Sequence, residues 1–203
     1  EGRPLNILAR NMQATRWKSQ GCYPSTAMPR ALRAWLLDTA SLTLRLQQLC
    51  PGGFRVHLLS QSWGRPFENE ARVLEMKHGS LALIRQVQLL CGEQPWVYAR
   101  TIMPVSSLCG RVQRLAHLVT RPLGGMLFAD PGMQRGGVEL ARLGAGQAMH
   151  AAATFHLTPR PAQIWGRRTV FRLEGKPLLV SEIFLPESPA DSAGRPGSTV
   201  RPA

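Results

Sequence analysis

The sequence predicts a single α+β domain with an antiparallel sheet. Its 203 residues suit one sizeable hydrophobic core. Apparent strands outnumber helices, and hairpins rather than strand–helix–strand units join them. We expect the domain to span residues 1–187, with an irregular N-terminal arm at 1–27. Residues 188–203 are rich in Pro, Ser and Gly and predict a disordered tail.

Helical spacing first becomes clear between residues 29 and 49. The run PRALRAWLLDTASLTLRLQQL places apolar side chains three and four residues apart, which predicts two short amphipathic helices meeting near residues 38–41. VQRLAHLV and RPLGGMLF also read as helices, with Thr120 as an N-cap and Pro122 near the first turn. The segment 145–163 is expected to form a long crossing connection.

Strand patterns fill much of the remaining chain. FRVHLLSQSW alternates as a strand and is ended by Gly64-Arg65-Pro66. SLALIRQVQLLC and WVYARTIMPV flank the turn GEQP, and RRTVFRL and LLVSEIFLP flank the turn EGKP. Each arrangement is typical of a β-hairpin.

Two charged residues interrupt apolar strand faces. Alternation places Arg85 in the middle of an apolar face, and Glu182 in a mostly apolar strand. A buried charge needs a partner, and two interpretations are open from the pattern alone. Arg85 and Glu182 pair with each other as a structural ion bridge, or both line a cavity. In the second case Arg85 binds a ligand carboxylate and Glu182 faces a hydroxyl or ether oxygen.

Composition argues against several classes of protein. The net charge of +13 invites a nucleic-acid interpretation, but the arginines are scattered, so we expect no nucleic-acid partner. The four cysteines and five histidines lack zinc-ligand spacing, so we expect no metal, no cofactor, and reduced, partly buried thiols. No stretch of about 18 apolar residues and no signal-peptide core is present. We therefore expect a cytoplasmic protein without membrane insertion.

Three stretches carry a family resemblance: IRQVQLLCGEQPWVYARTIMPVSSLCG, RPLGGMLF and IWGRRTVFRLEGKPLLVSEIFLP. They resemble the chorismate pyruvate-lyases, the 4-hydroxybenzoate synthases of bacterial ubiquinone biosynthesis, and the likeness extends over about residues 29–187. The resemblance implies a single domain with a central antiparallel sheet of about six strands and helices on one side, and we expect a monomer. It also implies two helix-turn-helix flaps over an enclosed ligand pocket.

The resemblance also assigns residues. It implies that Arg85 binds the ligand carboxylate, that Glu182 hydrogen-bonds the ring hydroxyl, and that the backbone of Leu123 contacts the ligand. A fourth ligand contact in the family comes from a methionine in the first flap, and Leu42 stands at that position here. Arg100 is a weaker candidate for a second carboxylate of the substrate, although a surface or edge-strand cation is its simpler interpretation.

The implied activity is conversion of chorismate to 4-hydroxybenzoate and pyruvate, the first step of ubiquinone biosynthesis, with tight retention of the product. Arg85 and Glu182 are the catalytic candidates. Either Glu182 assists proton transfer, or a concerted route needs no protein base. The alternative function is that of an aromatic-acid sensing domain of the same fold, without catalysis.

Overall fold

The structure, a computed structural model, describes residues 12–118 and 120–189, with Ser25 described by its backbone alone. The described chain forms one antiparallel sheet of seven strands in the order β1-β5-β6-β7-β4-β3-β2. The strands are β1 Lys18–Ser19, β2 Phe54–Gly64, β3 Ala82–Cys91, β4 Gln94–Pro104, β5 Gln134–Gly144, β6 Gln163–Leu173 and β7 Lys176–Phe184. The α+β class is confirmed, with seven strands rather than about six.

Both predicted hairpins form, and they lie side by side because β4 pairs with β7. In the β6–β7 hairpin the turn is Glu174-Gly175, with φ values of 51° and 74°. A two-residue turn with both central residues in the left-handed region matches the twist of the strands it joins. The predicted hairpin is therefore confirmed, but its turn has two residues rather than the four of EGKP, because Lys176 and Pro177 already belong to β7.

Five α-helices are present in the described residues: α1 Arg30–Leu36, α2 Leu42–Leu49, α3 Glu68–Val73, α4 Leu123–Ala129 and α5 Ala148–Thr154. Short 3₁₀ helices occupy Gln20–Cys22, Ser25–Ala27, Val105–Ser107 and Val112–His117. The predicted helix pair at residues 29–49 is confirmed, and the Ser41 side chain accepts the first-turn N–H of Leu44 at 3.5 Å. The expectation for Thr120 is wrong: Pro122, with an extended ψ of 127°, is the N-cap of α4.

Helices pack on both faces of the sheet, so the expectation of helices on one side is too narrow. Helices α1 and α2, together with the 3₁₀ helix Val112–His117 and α4, cover one face. On the other face, Leu74 after α3 packs on Ile84 and Ile102, and Met149 of α5 packs on Ile183. Among the described helices, none is long and apolar enough to cross a bilayer. Residues 190–203 lie outside the described part of the chain, so disorder of the tail stays a prediction.

A disulfide joins Cys50 to Cys91, with 5.8 Å between their Cα atoms. Cys50 follows the last residue of α2, and Cys91 ends β3. The two meet because Phe54, where β2 begins, pairs with Cys91. The expectation of reduced, partly buried thiols is therefore wrong, and the free thiols of Cys22 and Cys109 are exposed.

Candidate functional site

A cavity lies between the sheet and two helix pairs that cover it. We call α1 with α2 flap 1, and the 3₁₀ helix Val112–His117 with α4 flap 2. The cavity has a volume of about 50 Å³, more than one water needs. Its walls are mostly apolar, and its charged groups are Arg85 and Glu182. The structure thus places the predicted flaps over a pocket that holds both predicted site residues.

Arg85 projects into this cavity from the middle of β3. Its side chain is held from two directions: one terminal nitrogen donates to Gln61 Oε1 at 3.2 Å, and the other donates to the Arg121 carbonyl at 3.3 Å. Only 2% of the residue is exposed, and this burial lowers the pKa of its guanidinium. An arginine nevertheless stays charged in proteins, so the wall of the cavity carries a fixed cation.

Glu182 lies on the same face of the sheet but does not serve as the acid partner of Arg85. Arg85 pairs with Thr101 across β3 and β4, whereas Glu182 pairs with Ala99 across β7 and β4. Two strand spacings and a two-residue offset separate their Cα atoms by about 12 Å. Glu182 Oε2 instead accepts from Arg167 Nε at 2.5 Å. The ion-bridge interpretation is therefore wrong, and the cavity interpretation fits the structure.

Arg167 connects Glu182 to flap 1. Besides Glu182, its guanidinium donates to the carbonyls of Trp35 at 2.7 Å and Asp38 at 2.6 Å, and only 2% of the residue is exposed. Trp35 is in α1 and Asp38 is in the turn before α2. Sequence reasoning missed Arg167, although the two-residue turn at 174–175 sets a register that places it opposite Glu182.

The two flaps touch each other at the start of their second helices. Leu42 and Leu123 are the first residues of α2 and α4, and both line the cavity. A Cβ added to Gly124 would lie 2.8 Å from Thr43 Oγ1 and 3.3 Å from Ser41 Oγ. A glycine is therefore required for the flaps to approach this closely.

Arg100 is neither a surface cation nor a cavity residue. It is 5% exposed on the opposite face of the sheet, where Nε donates to Glu70 Oε1 at 2.8 Å and a terminal nitrogen donates to Oε2 at 3.1 Å. Both expectations for Arg100 are wrong, because its guanidinium is committed to a buried pair with α3. The predicted crossing segment 145–163 contains α5, which packs on this same face.

Within residues 12–118 and 120–189, no three His, Cys, Asp or Glu side chains are grouped to hold a metal ion. The expectation of a protein without cofactor stays a prediction.

Comparison with known families identifies the relationship. The model of a family described as chorismate lyase matches residues 13–190. The chain belongs to the chorismate lyase family. Two relatives named probable chorismate pyruvate-lyase are similar over most of their length. The protein from Methylococcus capsulatus is 37% identical over 166 residues, covering 76% of this chain and 94% of the relative. The protein from Azoarcus is 41% identical over 172 residues, covering 80% of this chain and 88% of the relative.

Among solved structures, the chain is similar to a transcriptional regulator of the GntR family from Bacillus cereus. The TM-score is 0.49 at 13% identity, covering 74% of this chain and 100% of the regulator. A likeness of this strength carries no argument about function.

Proposed function

We propose that this protein converts chorismate to 4-hydroxybenzoate and pyruvate. Membership of the chorismate lyase family supports the reaction class. The observation that carries the proposal is that a buried Arg85 and a half-buried Glu182 line one cavity beneath two flaps. An aromatic acid with a carboxylate at one end and a hydroxyl at the other matches a cation and a carboxylate separated by apolar walls.

In this proposal Arg85 binds the ring carboxylate, because a guanidinium and a carboxylate form strong, directional hydrogen bonds. Glu182 accepts a hydrogen bond from the ring hydroxyl. Its Oε2 is occupied by Arg167, and Oε1 makes no hydrogen bond to any described residue, so Oε1 is the acceptor. Leu42 and Leu123, at the starts of α2 and α4, complete the ligand contacts from the flaps.

The reaction breaks the bond between the ring carbon and the ether oxygen. The hydrogen on the neighbouring hydroxyl-bearing carbon leaves as a proton and the ring becomes aromatic. The pyruvate leaves as its enolate, which takes up one proton on its methylene carbon to become pyruvate. Aromatisation supplies much of the driving force, so the protein has mainly to orient the substrate and place charge around it. Glu182→Gln tests whether the carboxylate transfers the proton: unchanged turnover restricts Glu182 to hydrogen bonding.

Product retention follows from the same contacts. 4-Hydroxybenzoate keeps the carboxylate and the hydroxyl that Arg85 and Glu182 hold. The cavity beneath the flaps has a volume of only about 50 Å³. Release then requires the flaps to separate, and flap opening limits turnover. A place at the first step of ubiquinone biosynthesis, which rests on the resemblance, completes the proposal together with a cytoplasmic location and a monomeric state.

The test is a turnover assay with purified protein. Chorismate is added, 4-hydroxybenzoate is measured by chromatography, and pyruvate is measured by a coupled lactate dehydrogenase reaction. Arg85→Ala is expected to reduce kcat/KM by roughly 10²–10³-fold, the equivalent of losing a buried charge partner. Arg142→Gln, an exposed arginine on β5, is the matched control and should leave both rates unchanged.

Equal formation of product by wild type and Arg85→Ala contradicts the proposal. Tight binding of 4-hydroxybenzoate without any release of pyruvate from chorismate identifies a sensing domain instead. Thermal unfolding of each variant confirms that the folded proteins are being compared.

A further inference from the structure

A second, smaller chamber lies beside the cavity. Five residues line both spaces: Leu42, Phe128, Phe171, Val180 and Glu182. The chamber adds two arginines, Arg135 and Arg167, and the centres of water-sized molecules can occupy about 20 Å³ of it. That space is large enough for at least one water, so it can admit a small polar group.

Arg135 is the less satisfied of the two arginines. Arg167 is neutralised by Glu182 at 2.5 Å, whereas no carboxylate oxygen of the described residues lies within 4.0 Å of an Arg135 nitrogen. Its terminal nitrogens donate to the carbonyls of Thr39 and Asp38 in flap 1. Its Nε is buried and has no hydrogen-bond partner among the described residues.

Two aromatic rings and a second cation surround the guanidinium of Arg135. Its guanidinium carbon lies 5.9 Å and 5.7 Å from the ring centroids of Phe128 and Phe171, close enough for the rings to attract the charge. Burial, followed by the positive charge of Arg167, lowers the pKa of Arg135, and Glu182 and Asp38 oppose this shift. A partly buried cation beside a second cation, with a donor left over, is a position that an incoming anion would stabilise.

The chemistry of the substrate supplies such an anion, and this step rests on the proposed function. Chorismate has a ring carboxylate and a second carboxylate on its enolpyruvyl ether. The ether is attached to the ring carbon next to the one that carries the hydroxyl. If Arg85 holds the ring carboxylate and Glu182 holds the hydroxyl, the ether points toward the wall beside Glu182. Glu182 is shared by the cavity and the chamber.

We propose that Arg135 binds the enolpyruvyl carboxylate in this chamber, so that two arginines hold the substrate at its two acidic groups. Arg135 replaces Arg100 in this role, since Arg100 is paired with Glu70 on the opposite face. When the ether bond breaks, the carboxylate leaves with pyruvate. 4-Hydroxybenzoate then has no group for Arg135, which therefore distinguishes substrate from product.

Two ligands test this without relying on catalysis. 3-(Carboxymethoxy)-4-hydroxybenzoate carries a carboxylate on the ether, and 3-methoxy-4-hydroxybenzoate carries a neutral ether at the same position. We expect wild type to bind the carboxymethoxy compound about 10- to 100-fold more tightly than the methoxy compound by calorimetry, the range of a charged hydrogen bond. Arg135→Gln should abolish this advantage and leave the Kd of 4-hydroxybenzoate within twofold. Arg142→Gln, on the same strand, should retain the advantage.

Kinetics give a second readout. Arg135→Gln is expected to raise KM for chorismate about 10- to 100-fold. If Arg135 only holds flap 1 through Thr39 and Asp38, all three aromatic ligands will weaken together, and that result overturns the proposal. Retention of the carboxylate advantage in Arg135→Gln also overturns it.

Should Arg135→Gln fail to fold, Arg135→Lys is measured in its place. Loss of the guanidinium fork should then reduce the carboxylate advantage by at least about threefold, and an unchanged advantage overturns the proposal. A wild type that shows the advantage but forms no product contradicts the proposed function alone.

Discussion

Replacing one of two adjacent glycines in α4 tests whether contact between the flaps closes the cavity. An alanine Cβ at Gly124 would lie 2.8 Å from Thr43 Oγ1, closer than Cβ contacts in real proteins. A Cβ at Gly125 would have nothing within 4 Å. The two substitutions make the same chemical change in the same helix and differ only in what the new methyl group meets.

The two substitutions are expected to change the stability of the fold in opposite directions. Overpacking at Gly124 costs about 1–3 kcal/mol, and relief by moving the flaps apart weakens the closed state that holds a ligand. We therefore expect Gly124→Ala to raise the Kd of 4-hydroxybenzoate by about 5- to 100-fold. Gly125→Ala should leave the Kd unchanged and stabilise the fold by about 0.5–1 kcal/mol, since alanine is the better helix former.

Isothermal titration calorimetry gives the Kd values, and urea unfolding gives the stabilities. Combining Gly124→Ala with Thr43→Ala removes the nearest clashing atom, so the double variant should recover most of the lost affinity. A double-mutant cycle measures this coupling. If both alanine variants bind 4-hydroxybenzoate as wild type does, the flaps do not close through this contact.

Three further outcomes follow from the structure. Arg167→Met removes the cation beside Glu182, and the free energy of unfolding in urea should fall by about 3–5 kcal/mol. Burial, with His57 nearby, lowers the pKa of His156 below 6.5. Its contribution to stability is therefore present above pH 6.5 and lost as the pH falls through the folded pKa; His156→Gln should remove that part of the pH dependence of urea unfolding. Cys50→Ser opens a disulfide with a sequence separation of 41 residues and should cost about 4 kcal/mol, with dithiothreitol causing the same loss in wild type.

Each of these outcomes has a control. Arg168→Met removes the neighbouring arginine, whose partner Glu139 is more exposed than Glu182, so a smaller loss is expected, and equal losses contradict the role given to Arg167. Gly125→Ala removes no titratable group and should leave the pH profile as it is. Dithiothreitol should not destabilise Cys50→Ser further; if it does, another thiol process is responsible.

The two hairpins and the first helix pair were predictable because their patterns are local. The face of the sheet on which Arg100 lies could not be predicted from such local patterns. At the turn of the first hairpin, Leu90 pairs with Pro95, and that register would place residue 100 opposite Arg85. An irregularity between Leu89 and Leu90 shifts the pairing by one, so Thr101 faces Arg85 instead. A single β-bulge therefore moved Arg100 to the other face of the sheet.

Other parts of the site depended on contacts that the sequence does not encode locally. Strand β5 was missed because Gly136-Gly137 reads as a loop signal, whereas in the sheet the absent Cβ of Gly136 allows the Val170 carbonyl to approach. Helix α3 has only six residues, too few for a periodic pattern. The chamber at Arg135 needs β5, β6 and flap 1 together, so no single segment could have indicated it.

The cavity separates two groups of packed apolar side chains. Leu42, Val87 and Leu89 belong to one, and Leu127 and Phe171 belong to the other. An aromatic ring lodged between them would join the two groups into one continuous interior. A ligand present at a free concentration of a hundred times its Kd would add about 2.7 kcal/mol to the free energy of unfolding. The melting temperature of any preparation would then report how much ligand it still carries.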